Sequence, residues 1–110
     1  MFQVLEYSLT VMDLIADVEA KVRVHRKSLA DQIGRSAESI ALNLAEGSQR
    51  AGLDRKDLYR RAAGSAAELT AALRIARSRR YITPADYAAI DAPLDRVRAI
   101  TWSLTHPKKK

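Results

Sequence analysis

Ile40-Ala41-Leu42-Asn43-Leu44-Ala45-Glu46-Gly47-Ser48-Gln49-Arg50 begins as an apolar helix face and ends in a polar cluster beside a glycine. On a 3.6-residue period, Ile33, Ala37, Ile40 and Leu44 fall on one stripe, with Asn43, Glu46 and Arg50 along its edge. Upstream, Ser28 reads as an N-cap, because its hydroxyl can accept a free first-turn amide, and Asp31 suits the positive helix end. The spacing therefore predicts a helix over about 28–49, buried through Leu29, Ile33, Ala37, Ile40 and Leu44. Gly47 and Gly52 mark its fraying end and the turn that follows.

Three further helices flank this one. The first, about 3–23, carries two apolar stripes: Phe2, Leu5, Leu9, Met12 and Ala16, and nearly opposite them Val4, Val11, Ile15, Val18 and Val22. A helix that packs only within its own bundle needs one stripe, so the second is expected to meet another subunit. Asp54 and Asp57 open a helix over about 54–80 with a core stripe of Leu58, Ala62, Ser65, Leu69, Leu73 and Ala76. Behind it lie Ala63, Ala67 and Ala71, with Gly64 nearby. These small residues suit a contact surface with close backbone approach, or solvent-exposed alanine chosen for helix propensity. Thr83-Pro84-Ala85-Asp86 is the plainest start signal, and a last helix follows over 83–105 through Tyr87, Ile90, Leu94, Val97, Thr101 and Leu104. Pro93 interrupts it and predicts a kink. Residues 106–110 form a basic tail. Four helices with short links hide their stripes most simply as an antiparallel up-down four-helix bundle, one all-α domain over 1–110.

Composition narrows the function classes. Cysteine is absent, which excludes disulfides and thiolate metal sites and points to a cytoplasmic protein. No apolar run reaches the ~18 residues of a membrane span. The net charge of +6 is uneven: residues 1–49 carry −2, residues 50–80 carry +6 and residues 81–110 carry +2. A basic centre suits an anionic partner, although the acids Asp13, Asp17 and Glu19 could also neutralise it internally.

The stretch from Ile40 to Arg50 has a further meaning. Together with Lys56-Asp57-Leu58-Tyr59, Gly64-Ser65-Ala66-Ala67-Glu68-Leu69 and Tyr81-Ile82-Thr83, it resembles the four-helix bundle family of proteins encoded within intervening sequences of bacterial 23S rRNA genes. The accessory proteins of diversity-generating retroelements are related to that family. The resemblance covers roughly residues 28–105, and Pro93 departs from the usual unbroken last helix. It implies a bundle assembled as a ring-shaped homopentamer with a basic surface. In the retroelement branch it also implies binding of nucleic acid and of a reverse transcriptase. It transfers no catalytic residue.

Candidate sites follow from residue chemistry. Arg55, Lys56, Arg60, Arg61, Arg74, Arg77, Arg79 and Arg80 are the phosphate-contact candidates, since guanidinium forks match phosphate oxygens. The helical wheel does not bring all eight together: Arg61 and Arg79 fall far from Lys56 and Arg74. No groove-reading helix-turn-helix pattern is present, so contact with the nucleic-acid backbone is expected rather than base readout. Asn43, Glu46, Gly47, Arg50, Gly64 and Glu68 form a structural or interface cluster, with Glu68 expected to meet Asn43, Glu46 and Arg50. Trp102 lies off the last core stripe and is expected to pack at a bundle end or an interface rather than stack on a base. His25 and His106 lack further ligands at metal spacing, so no metal or other cofactor is expected. Ser65 has no nucleophile–base partner in the sequence. The expectation is a non-enzymatic, oligomeric bundle that binds DNA or RNA with low specificity. The alternative is a protein-interaction scaffold.

Overall fold

The computed structural model describes residues 2–106, which form four helices: α1 Gln3–His25, α2 Lys27–Ser48, α3 Gly52–Ser78 and α4 Pro84–Thr105. Each packs on its two neighbours in the order α1, α2, α3, α4 and back to α1, so α1 and α3 meet only across a diagonal. Paired residues fix the antiparallel sense. Arg23 reaches Asp31 between α1 and α2, Ser39 reaches Ser65 between α2 and α3, Arg98 reaches Thr70 between α3 and α4, and Lys21 reaches Asp86 between α1 and α4. The bundle measures 47 × 22 × 21 Å. The basic tail expected after His106 lies outside the described residues.

The core is built from the expected stripe of α2, with Leu29, Ile33, Ala37, Ile40 and Leu44 all buried. In α1 the valine stripe goes inward: Val4, Val11, Ile15, Val18 and Val22 are buried. The other stripe follows the α1/α2 edge, where Leu5 and Met12 are half-buried while Leu9 and Ala16 are exposed. The α3 stripe is shifted slightly, with Tyr59, Ala66 and Ala72 buried and Leu58 only half-buried. Ser8 Oγ is buried without a hydrogen-bond partner among the described residues.

Three helix-end assignments need correction. Ser28 does not cap α2: one extended residue, Arg26, separates α1 from α2, its N–H donating to the Val22 carbonyl and its carbonyl accepting from Ala30 N–H. Backbone bonds do there what a serine hydroxyl was expected to do. Asp54 is likewise inside the first turn of α3, which starts at Gly52 after an extended Ala51; the turn needs glycine at 52, where φ is +65°. Gly47 is not a fraying end. It is buried within α2, where an added Cβ would stand 2.7 Å from Tyr59 Cε1. The start of α4 matches its sequence signal: Asp86 N–H donates to Thr83 Oγ1 at 3.0 Å and Thr83 N–H donates to the Asp86 carboxylate at 3.1 Å. The helix runs on through Pro93, with Ile90, Leu94 and Val97 buried on both sides of it.

Candidate nucleic-acid interface

The polar residues that close α2 mostly hold helices together. Asn43 donates from Nδ2 to the Ser39 carbonyl at 2.8 Å and to Ser39 Oγ at 3.1 Å, and Ser39 Oγ pairs with Ser65 Oγ at 2.7 Å. This hydroxyl contact pins the buried Ser65 of α3 against α2. Arg55 donates from Nε to the Arg50 carbonyl at 2.7 Å and to the Gly47 carbonyl at 3.3 Å. It therefore ties the first turn of α3 to carbonyls at and just beyond the end of α2, the Gly47 carbonyl also accepting from Arg50 N–H. Glu46 and Arg50 sit 3.9 Å apart in solvent, a weak i,i+4 pair. Glu68 does not join them. The antiparallel register places it level with the middle of α2, and among the described residues it has no ion-pair partner.

The basic residues divide by what they touch. Arg55 is a helix-end donor. Arg61 pairs with Asp57 at 3.2 Å, and Arg77 lies 4.4 Å over the Tyr87 ring. Arg79 ends α3, and Arg80 follows with φ +63°. Neither of these two has an ion-pair partner among the described residues, and neither do Lys56, Arg60 and Arg74. At 100° per residue these three share the outward face of α3, with Gly64, Ala67 and Ala71 between them. Gly64 is exposed and an added Cβ would meet nothing within 4 Å among the described residues, so the close approach expected there does not occur between them. From Lys56 to Arg74 the row spans about 27 Å along the helix axis.

Internal neutralisation by α1 does not occur either. Asp13 and Asp17 are exposed on the far corner of the bundle and make no ion pair among the described residues. Glu19 lies against Gly34 of α2. Burial raises its pKa, and Glu38 and Asp31 add to the rise while Arg23 opposes it. Asp86 is shifted the other way: the Thr83 backbone N–H and the Lys21 ammonium hold its carboxyl below the usual range. Arg98 bridges Asp91 at 2.8 Å, Asp95 at 3.1 Å and Thr70 at 2.9 Å.

Catalytic chemistry finds little assembled here. A depression at one end of the bundle is lined by Phe2, Ser48, Gly52, Arg55, Lys56, Tyr59 and Leu104, but the Ser48 hydroxyl donates to the Ala45 carbonyl at 2.7 Å. His25 stacks on Tyr81 at 4.6 Å. Among the described residues no three His, Asp or Glu side chains stand together as a metal site, and no helix is long and apolar enough to cross a membrane. Sequence reasoning missed one feature. Trp102 is 60% exposed and stacks on His106, with ring centroids 4.4 Å apart. The four-residue spacing of the two aromatics was the available signal.

Fold and surface together define a class: a basic four-helix bundle whose buried polar groups pair helices and whose unpaired cations line one outer face. The model of the 23S rRNA-intervening sequence protein family matches residues 2–103, and the chain belongs to that family. Its fold is similar to a crystal structure of a protein of unknown function from the S23 ribosomal protein family of Bacteroides thetaiotaomicron. The two share 24% sequence identity and a TM-score of 0.85 over 94% of this chain and 98% of that one. No curated protein matches the sequence significantly.

Proposed function

We propose that this protein is a non-enzymatic, oligomeric accessory protein that binds nucleic acid through backbone phosphates, with little sequence preference. The observation that carries the reading is the row of Lys56, Arg60 and Arg74, exposed or half-exposed on one face of α3 and free of carboxylate partners among the described residues. Assembly is supported by the α1/α2 face, where Leu9 is 44% exposed and Leu42 is 68% exposed. The assembly we infer is the ring-shaped homopentamer implied by the family resemblance, which would repeat the cationic row around its circumference.

A filter-binding titration tests the nucleic-acid role. If ~6–10 phosphates are engaged across the assembly, affinity falls ~10³–10⁵-fold between about 50 and 200 mM salt. Replacing Arg60 and Arg74 with Gln weakens all sequences alike and flattens that slope, because phosphate contacts carry no base information. No retention of DNA or RNA at low salt and tens of micromolar protein overturns the reading.

A scaffold reading is favoured by one other observation. Glu6, Asp13 and Asp17 form an exposed acidic row on α1, and a second copy could set it against the α3 cations. On that account the same Arg-to-Gln variants lose assembly and no nucleic acid is bound.

A further inference from the structure

Trp102 is the chain's single tryptophan, and α4 holds it 60% exposed to solvent. One face of its ring is covered by His106, the planes lying 10° from parallel. The His106 ring is itself held: Nδ1 lies 2.9 Å from the Trp102 carbonyl and 3.1 Å from Thr105 Oγ1. The pair is therefore a fixed two-ring slab standing in water.

Among the described residues, its surroundings leave the other face open. Trp102 lies one turn beyond Arg98, on the flank of α4 turned toward α3. The antiparallel register set by Arg98–Thr70 and Tyr87–Arg77 puts Trp102 level with residues near 64–66 of α3. The outward positions there are Ala63, Gly64 and Ala67, and a Cβ at Gly64 would meet nothing within 4 Å. Side chains this short do not reach across to cover an indole. Arg60 lies one helical turn from Gly64, about 6 Å along the axis, on the side of the His106 stack. Among the described residues, an open aromatic face thus stands beside cations that have no carboxylate partner.

We infer that Trp102 is a stacking platform for an unpaired base and that the preferred ligand is a single-stranded segment of DNA or RNA. The inference rests on the nucleic-acid reading above and adds the base to it. Every base offers a π-face, so stacking here adds affinity without adding sequence readout; Arg60 holds a phosphate beside the stacked nucleotide and Arg74, more than about 10 Å (~8 residues) further along α3, one farther along the strand. A base inside a duplex is already stacked on both faces and cannot use the platform.

Because the chain has one tryptophan, its emission reports this site alone. Fluorescein-labelled 12-mers of deoxythymidine and of uridine, and a mixed-sequence DNA duplex of equal length, are titrated with the full chain at low salt. Anisotropy of the label and emission of Trp102 are followed together. The expected result is quenching on binding of either single strand and little quenching by the duplex. Which single strand binds more tightly says whether the ribose is read, and either one carries the inference. Trp102→Ala should lose about 5- to 150-fold in single-strand affinity, the equivalent of one stacked base, with duplex affinity unchanged. Trp102→Phe should recover part of that loss. Binding by anisotropy with unchanged tryptophan emission overturns the stacking inference and leaves the phosphate reading intact. Absence of binding to all three ligands overturns both. A Trp102→Ala protein that falls apart into smaller species makes the ring a contact between copies and overturns the inference.

Discussion

The outward faces of α1 and α3 occupy opposite corners of one bundle, and they are nearly inverse in chemistry. The α1 face carries Glu6, Asp13 and Asp17 and borders the exposed Leu9 and, on α2, Leu42. The α3 face carries Lys56, Arg60 and Arg74 over a floor of Gly64, Ala67 and Ala71. Neither face contributes to the core, so the fold does not require the difference. Burial constrains Val11 or Leu69; it leaves Leu42 and Arg60 open to other demands. Large apolar side chains in water suit a protein partner, because covering them releases hydration free energy of ~1.5–3 kcal/mol each. Unpaired cations above small side chains suit a polyanion that must come close.

The largest effect should come from breaking the apolar side of that contrast. A Leu9→Glu/Leu42→Glu double variant is expected to reduce the proposed assembly to single chains of 12.2 kDa in size-exclusion light scattering. Arg60→Gln/Arg74→Gln should keep the parent size. If the arginine variant dissociates instead, the two faces meet each other and the scaffold reading holds.

The two glycines near the ends of the contrast sharpen it next. Gly47 faces inward, where a Cβ would stand 2.7 Å from Tyr59 Cε1 and 3.4 Å from Leu58 Cβ. Gly47→Ala should therefore cost ~1–3 kcal/mol, seen as a lower midpoint in a urea titration. Gly64 faces outward into open space, and Gly64→Ala should add ~1 kcal/mol from helix propensity alone. Gly64→Leu should melt at or above the parent temperature while weakening whatever docks on α3. A destabilised Gly64→Leu chain in its single-chain form would show that this face is packed after all.

How much of this was legible follows from where the controlling contact lies. Thr83 and Asp86 sit three residues apart and answer each other, so the start of α4 was readable. The α2 stripe was readable because one helix face alone is apolar. The starts of α2 and α3 were not: Arg26 closes one turn through its own backbone, and Arg55 reaches back to carbonyls that no local pattern reveals. In α1 both stripes are apolar, and only packing shows that the valines face in. For the candidate interface, sequence named eight cations and could not see that Arg55, Arg61 and Arg77 already have partners.

The smallest predicted effect tests the acidic side. Burial raises the pKa of Glu19, so protonation is easier in the folded chain than in the unfolded one. Its favourable contribution is present below the usual carboxylate range and is lost as pH rises through the raised value. Glu19→Gln should match the parent melting temperature at low pH and exceed it slightly at neutral pH. An equal difference at both pH values would show that the ionisation of Glu19 does not matter.

Phe2 and Leu104 line the same depression, so the polypeptide leaves the bundle where it entered. A short linker of glycine and serine could join residue 2 to residue 106, and new ends could be opened at the link between α3 and α4 around Ile82. Such a circular permutant would keep every helix-to-helix contact while moving both ends to the opposite pole. Any tag or fused partner attached next to residue 2 or residue 106 instead crowds the pole that holds Arg55, Lys56 and the Trp102–His106 stack. Where a fusion is attached would then decide whether the cationic row stays within reach of a ligand.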